Sequence, residues 1–179
     1  MTTEQRFYIL VRNGLGAAFV NALLNGAIGW GITRGLSEFP TWKAPGVAVD
    51  LVFTAFGITF GTCVVLPAQI RRDFEHGRAS LPEIGPRLSA IIARFPKGFF
   101  ARAALLGLVS VPLFAPPALL GLAVYGAASL ERVAFVELKA VFSAIQGGLV
   151  TPLIVLAVLS ALSERKIDVE LPRLTPEAP

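Results

Sequence analysis

The chain has 179 residues, 54% of them apolar and only 16% charged, with a net charge of +4, one cysteine and one histidine. A water-soluble domain carries about a quarter charged residues, and a disordered chain holds far fewer apolar ones, so both classes are excluded. A mean hydropathy of +0.68 requires lipid as the solvent for much of the surface.

The element order follows from stretches long enough to cross about 30 Å of hydrocarbon, roughly 20 apolar residues at about 1.5 Å each. Uncharged runs of 21 residues after Arg12, 20 after Asp50, 28 after Arg102 and 24 after Lys139 qualify. They predict an all-α integral membrane protein, a bundle of four transmembrane helices near 8–33, 46–70, 100–127 and 133–162. The domain is residues 1–163, and residues 164–179 form a polar tail. The first run is too long for a cleaved signal and lacks a basic leader, so it reads as a retained helix. Continuous apolar runs also exclude the alternating pattern of a β-barrel.

Helix 1 carries Gly14, Ala18, Asn21, Asn25 and Gly29 on one face. Helix 2 carries Asp50, Thr54, Gly57 and Gly61, the last two a GxxxG pair. Small residues let helices approach closely in lipid and polar side chains hydrogen-bond across them, so both stripes are packing faces. The stretch from Pro67 to Arg72, a proline followed by basic residues, resembles the ends of hairpins in small bacterial membrane proteins, a resemblance that implies no activity.

Between helices 2 and 3, the cytoplasmic loop 71–99 repeats Leu88, Ile91, Ile92 and Phe95 at helical spacing, with Arg87, Arg94 and Lys97 on the polar side. That pattern predicts a short interfacial helix on an anionic headgroup surface, as a lipid-sensing element or as a plain connector. Helix 3 contains Pro112, Pro116 and Pro117. Each proline lacks an N–H and crowds the carbonyl four residues earlier, which predicts a kink or break. Broken helices at membrane depth often mark transport sites, although a kink also serves packing alone.

Helix 4 places Lys139, Ser143, Gln146, Gly147 and Thr151 on a shared face with Glu137 beside it. Asp50 is short and deep enough to need a partner, and Lys139 is the natural one. The substrate or ion seam expected from these stripes comprises Asn21, Asn25, Asp50, Thr54, Glu137, Lys139, Ser143 and Gln146, open to the outer face. It serves as a path for a small ion or polar solute or as a clasp fixing helix register. Shifting helix 2 by 87 positions aligns Asp50 with Glu137 and Gly61 with Gly148, which suggests two tandem hairpins.

Twelve of the 16 basic residues fall in the N-terminal segment, the loop from Arg71 to Arg102 and the tail. The excess of positive charge on cytoplasmic loops then places both termini in the cytoplasm of a bacterial-type inner membrane. No aromatic-interleaved basic motif supports nucleic-acid binding.

Catalytic chemistry has few residues to draw on. His76 is a lone histidine, so no His-based metal centre or haem assembles within one chain. Cys63 reads as a small core residue, Asp73 and Glu75 as solvated charges in a basic loop, and Ser110, Ser143 and Ser160 lack a histidine. No enzyme, cofactor or metal is expected. Transport is the leading function, with an accessory subunit of a larger membrane complex as the alternative, and the expected partners are anionic lipid and further membrane subunits or copies of this chain.

Overall fold

In the computed structural model, residues 1–80, 85, 90, 94, 96 and 98–174 are described, with side chains described as far as residue 162. Four helices are long and apolar enough to cross a membrane: α1 (Thr3–Ile32), α2 (Val47–Glu75), α3 (Phe99–Val124) and α4 (Arg132–Leu174, its span ending at Leu162). The interfacial helix expected around Leu88 to Phe95 lies outside the described residues, as do Arg87 and Lys97; Arg94 is exposed.

The helix ends follow local chemistry. Gly77 and Gly126 adopt φ of 70° and 65° just beyond α2 and α3, the left-handed conformation that closes a helix without a Cβ penalty. Beyond them Arg78 N donates to Asp73 O and Ala127 N to Leu122 O, satisfying carbonyls that the helices leave free. At its start α1 has Thr2 and Gln5 in a reciprocal capping box. Phe7–Leu15 then winds as a π-helix before the α-helix resumes at Gly16.

The packing centre is the parallel pair α2 and α4, while α1 lies along α4 and α3 along α2. The principal antiparallel partners are thus α1 with α4 and α2 with α3, which departs from the expected tandem hairpins of helices 1–2 and 3–4. Close approach decides the first pairing. A Cβ on Gly147 would stand 2.6 Å from the Asn21 amide nitrogen, and Gly26 faces Ala140. Gly57 and Gly61 do not serve the packing within the bundle, because a Cβ on either meets nothing within 4 Å among the described residues. As α2 crosses α4 the contact moves from Asp50 and Thr54 to Ala55 and Thr59, which turns the GxxxG pair away.

Of the kink or break expected at Pro112, Pro116 and Pro117, no break occurs: α3 runs through all three prolines without interruption. Each proline removes one backbone hydrogen bond, whereas a break in lipid would leave several groups unsatisfied, so continuity wins.

Two apolar clusters fill the bundle. One, near the N-terminal end, joins Ile9, Cys63, Ile70, Val155 and Leu159 among others; the second, near the opposite end, joins Phe39, Val47, Leu51, Ala55, Phe135 and Phe142. Over the second lies a pairing that no helical pattern marks. Strands β1 (Glu38–Pro40) and β2 (Ser129–Glu131) are antiparallel, with Phe39 opposite Leu130. Arg132 closes the same end by placing its guanidinium over the Trp30 ring, 3.7 Å from the centroid, and donating to the Trp30 carbonyl.

Candidate functional site

Polar residues are buried where α2, α3 and α4 meet. On α2, Asp50 sits in the first turn, where a carboxylate is favoured by the helix dipole. Parallel to it, α4 delivers Lys139 about two turns inside its own start at Arg132. Lys139 Nζ donates to both Asp50 carboxylate oxygens at 2.5 and 2.6 Å and to Thr54 Oγ1 at 3.0 Å, and Thr54 Oγ1 in turn donates to Asp50 at 3.5 Å. The ion pair anticipated from sequence is therefore formed, with all three ammonium protons matched by acceptors.

This pair is closed rather than open to the outer face. The side chains of Lys139 and Asp50 are 3% and 13% exposed. Phe135 lies 5.9 Å from Nζ at its ring centroid and packs tilted against Phe39 of β1, 4.7 Å between centroids, so an aromatic plug and the strand pair stand above the charges.

One helical step deeper, the groups become neutral. Gln146 Nε2 donates to the Ala55 carbonyl at 2.5 Å and to Thr59 Oγ1 at 3.0 Å. The same Ala55 carbonyl accepts from Ser110 Oγ of α3 at 2.7 Å, so three helices converge on one backbone oxygen. Among the described residues, Ser143 Oγ, Gln146 Oε1 and Thr151 Oγ1 are buried without a hydrogen-bond partner. Buried polar atoms are nearly always paired, directly or through water, and each unpaired one in hydrocarbon costs on the order of 1–3 kcal/mol. Their alignment along α4 gives the seam spare hydrogen-bonding capacity inward of the ion pair.

Of the eight seam residues expected from sequence, Asp50, Thr54, Lys139, Ser143 and Gln146 come together at the α2–α4 contact. Asn21 and Asn25 do not join them. Both face α4 from α1, but their amides donate back to Ala17 O and Asn21 O on their own helix. Glu137 is exposed, one residue out of phase with the buried face of α4. Asp50 and Glu137, aligned by the 87-residue shift, therefore occupy unlike environments, which removes the acidic pair from that duplication.

A second polar cluster was not anticipated. Asp73, expected to be solvated, is 3% exposed. Tyr8 Oη donates to its carboxylate at 3.0 Å, Arg12 approaches at 3.1 Å and Arg78 at 2.8 Å. The π-helical turn explains the miss: its i to i+5 bonding aligns residues five apart, which puts Tyr8 with Asn13 and Ile9 with Gly14 on the buried face. A search at steps of three and four links Ile9 with Asn13 but misses the Tyr8–Asn13 and Ile9–Gly14 pairs. Asn13 Nδ2 donates to the Tyr8 carbonyl at 2.8 Å and so fills an acceptor in the widened turn.

Among the described residues no group of three or more His, Cys, Asp or Glu side chains is placed to hold a metal ion. Fold and site together define a four-span helical membrane protein with a buried ion pair at the centre of its packing. Comparison with known proteins returns no match, whether to a family model, a curated protein or a solved structure.

Proposed function

We propose that this is a multi-pass protein of a bacterial-type inner membrane, both termini cytoplasmic, that passes a small cation, the proton included, or a small polar solute along the α2–α4 seam. The observation that carries the reading is the buried Asp50–Lys139 pair continued inward by Ser143, Gln146 and Thr151 with unmet hydrogen-bonding capacity. A lone charge in hydrocarbon is expensive, and intramembrane ionisable groups mark ion routes. A cation arriving at Asp50 competes with the Lys139 ammonium for one carboxylate. The site stays neutral only if the Lys139 ammonium swings out toward the helix ends as the cation enters, which its long flexible stem allows.

Opening requires displacement of Phe39 and the strand pair above the charges. The proposal includes no catalytic step and no cofactor.

Reconstituted vesicles carrying proton, sodium or potassium reporters test it. The paired variant Asp50→Asn, Lys139→Met removes both charges without stranding either. Wild type is expected to exceed empty vesicles for one of the three ions, with the paired variant reduced to background and Gln146→Leu slowed. A flux equal in wild type and paired variant overturns the assignment.

Saturation of Lys139 by three acceptors favours a second reading, a clasp within a non-catalytic subunit of a larger membrane complex. That reading predicts stoichiometric co-purification with another membrane protein in mild detergent and no flux in isolation.

A further inference from the structure

The Asp73 cluster opens onto a cleft of about 460 Å³ at the N-terminal end of the bundle, lined by Thr3, Glu4, Phe7, Tyr8, Arg12 and Arg78. We infer that this cleft binds the headgroup of a zwitterionic aminophospholipid, its phosphate on Arg12 and Arg78 and its ammonium on Glu4.

Charge counting sets the ligand class. Two guanidiniums share the single carboxylate of Asp73, leaving one positive charge at the floor. Arg12 engages Asp73 through one terminal nitrogen and Arg78 through Nε, so the remaining donors of each fork are left for an oxyanion. The arginine side chains are 43% and 53% exposed, which keeps those donors within reach of a ligand, while Asp73 and Tyr8 below them hold the forks in place. Arg12 is further fixed 5.3 Å from the Tyr8 ring centroid. Glu4 supplies an exposed negative charge on the same wall.

One positive and one negative group on a single cleft complement a phosphate and a primary ammonium carried by one molecule. A purely anionic headgroup would meet Glu4 as a like charge. A quaternary ammonium has no N–H to donate to the Glu4 carboxylate.

Position supplies the rest. The cleft lies at the end of α1, where headgroups of one leaflet meet the helix ends, and Phe7 beside it is 60% exposed with Leu10 and Val11 continuing the apolar surface along α1. An acyl chain therefore has a wall to follow from the headgroup into the hydrocarbon. Basic pockets at helix ends are an established way of holding phospholipid headgroups. The inference stands independently of the transport reading.

Native mass spectrometry of the detergent-purified full chain, titrated with phosphatidylethanolamine, phosphatidylcholine and phosphatidylglycerol of identical acyl chains, tests it. Wild type is expected to retain phosphatidylethanolamine roughly tenfold over the other two, the worth of one charge-assisted hydrogen bond. Glu4→Gln, at an exposed position, should abolish that preference while phosphatidylglycerol binding rises. Arg78→Gln, which leaves Arg12 on Asp73, should weaken all three. Equal retention of the three lipids by wild type, or a preference unchanged in Glu4→Gln, overturns the inference. Chain-free glycerophosphoethanolamine competing as well as the lipid would assign the site to a soluble phosphodiester and overturn it as well.

Discussion

Removing the ammonium of Lys139 leaves the Asp50 carboxylate buried with Thr54 as its remaining described partner, and removing the carboxylate strands the ammonium above the aromatic plug. Stranding one charge of a buried pair costs about 3–5 kcal/mol, whereas replacing both by neutral groups of similar size is close to neutral. Lys139→Met and Asp50→Asn should each destabilise by that amount in equilibrium unfolding in mixed micelles, and the double variant should regain most of it. Single-variant losses under about 1 kcal/mol would show that the pair does not couple α2 to α4. This pair was legible in the sequence because depth and side-chain length leave a short carboxylate few choices. Ser110 was not legible: its partner is the Ala55 carbonyl, and no residue pattern marks a backbone oxygen as the place where three helices meet.

At the scale of elements, stripes of small residues identified the face of α1 correctly. Gly14, Ala18, Asn21 and Gly29 do lie against α4. They did not name the partner, since a face that admits close approach fits any helix with a matching small residue. The stripes of helices 2 and 4 were both open as partners, and Gly147 and Gly148 of α4 supplied the closer fit. In a Cys63→Ser background, Gly26→Cys with Ala140→Cys should form a disulfide on mild oxidation, because a Cβ at Gly26 would lie 3.5 Å from that of Ala140. Failure of this pair to cross-link in membranes would overturn the α1–α4 pairing. The prolines of α3 carry a related lesson. Their local cost was read correctly, but the larger cost of opening backbone to lipid decides the outcome.

For the whole molecule, twelve basic residues fall in the N-terminal segment, the stretch from Arg71 to Arg102 and the tail, against Arg34, Lys43 and Arg132 in the connections between helices 1 and 2 and between helices 3 and 4. That asymmetry predicts orientation through the charge bias of cytoplasmic loops. In right-side-out vesicles of the Cys63→Ser protein, Trp42→Cys should react with a membrane-impermeant maleimide and Ser80→Cys should react only after permeabilisation; the reverse result would invert the topology. The number of spans was thus legible from apolar length, and their direction is an expectation from charge that the labelling tests. The order in which the spans lie side by side was not, because every span satisfies the lipid equally well and only side-chain fit at Gly147, Gln146 and Ser110 distinguishes neighbours.

The central position of α4 has a consequence for how the chain is made. Half of its apolar stretch is buried, against 22% for α1 and α3, yet it is the last of these four spans to leave the ribosome. Until then α1 has no helix to lie along and Asp50 waits without its cation. Strand β1 also waits for β2, whose Ser129 donates to Glu38 across 91 residues of chain. Three spans must therefore reside in the bilayer as a loose set, and the fourth arrives to join them as the keystone of an arch.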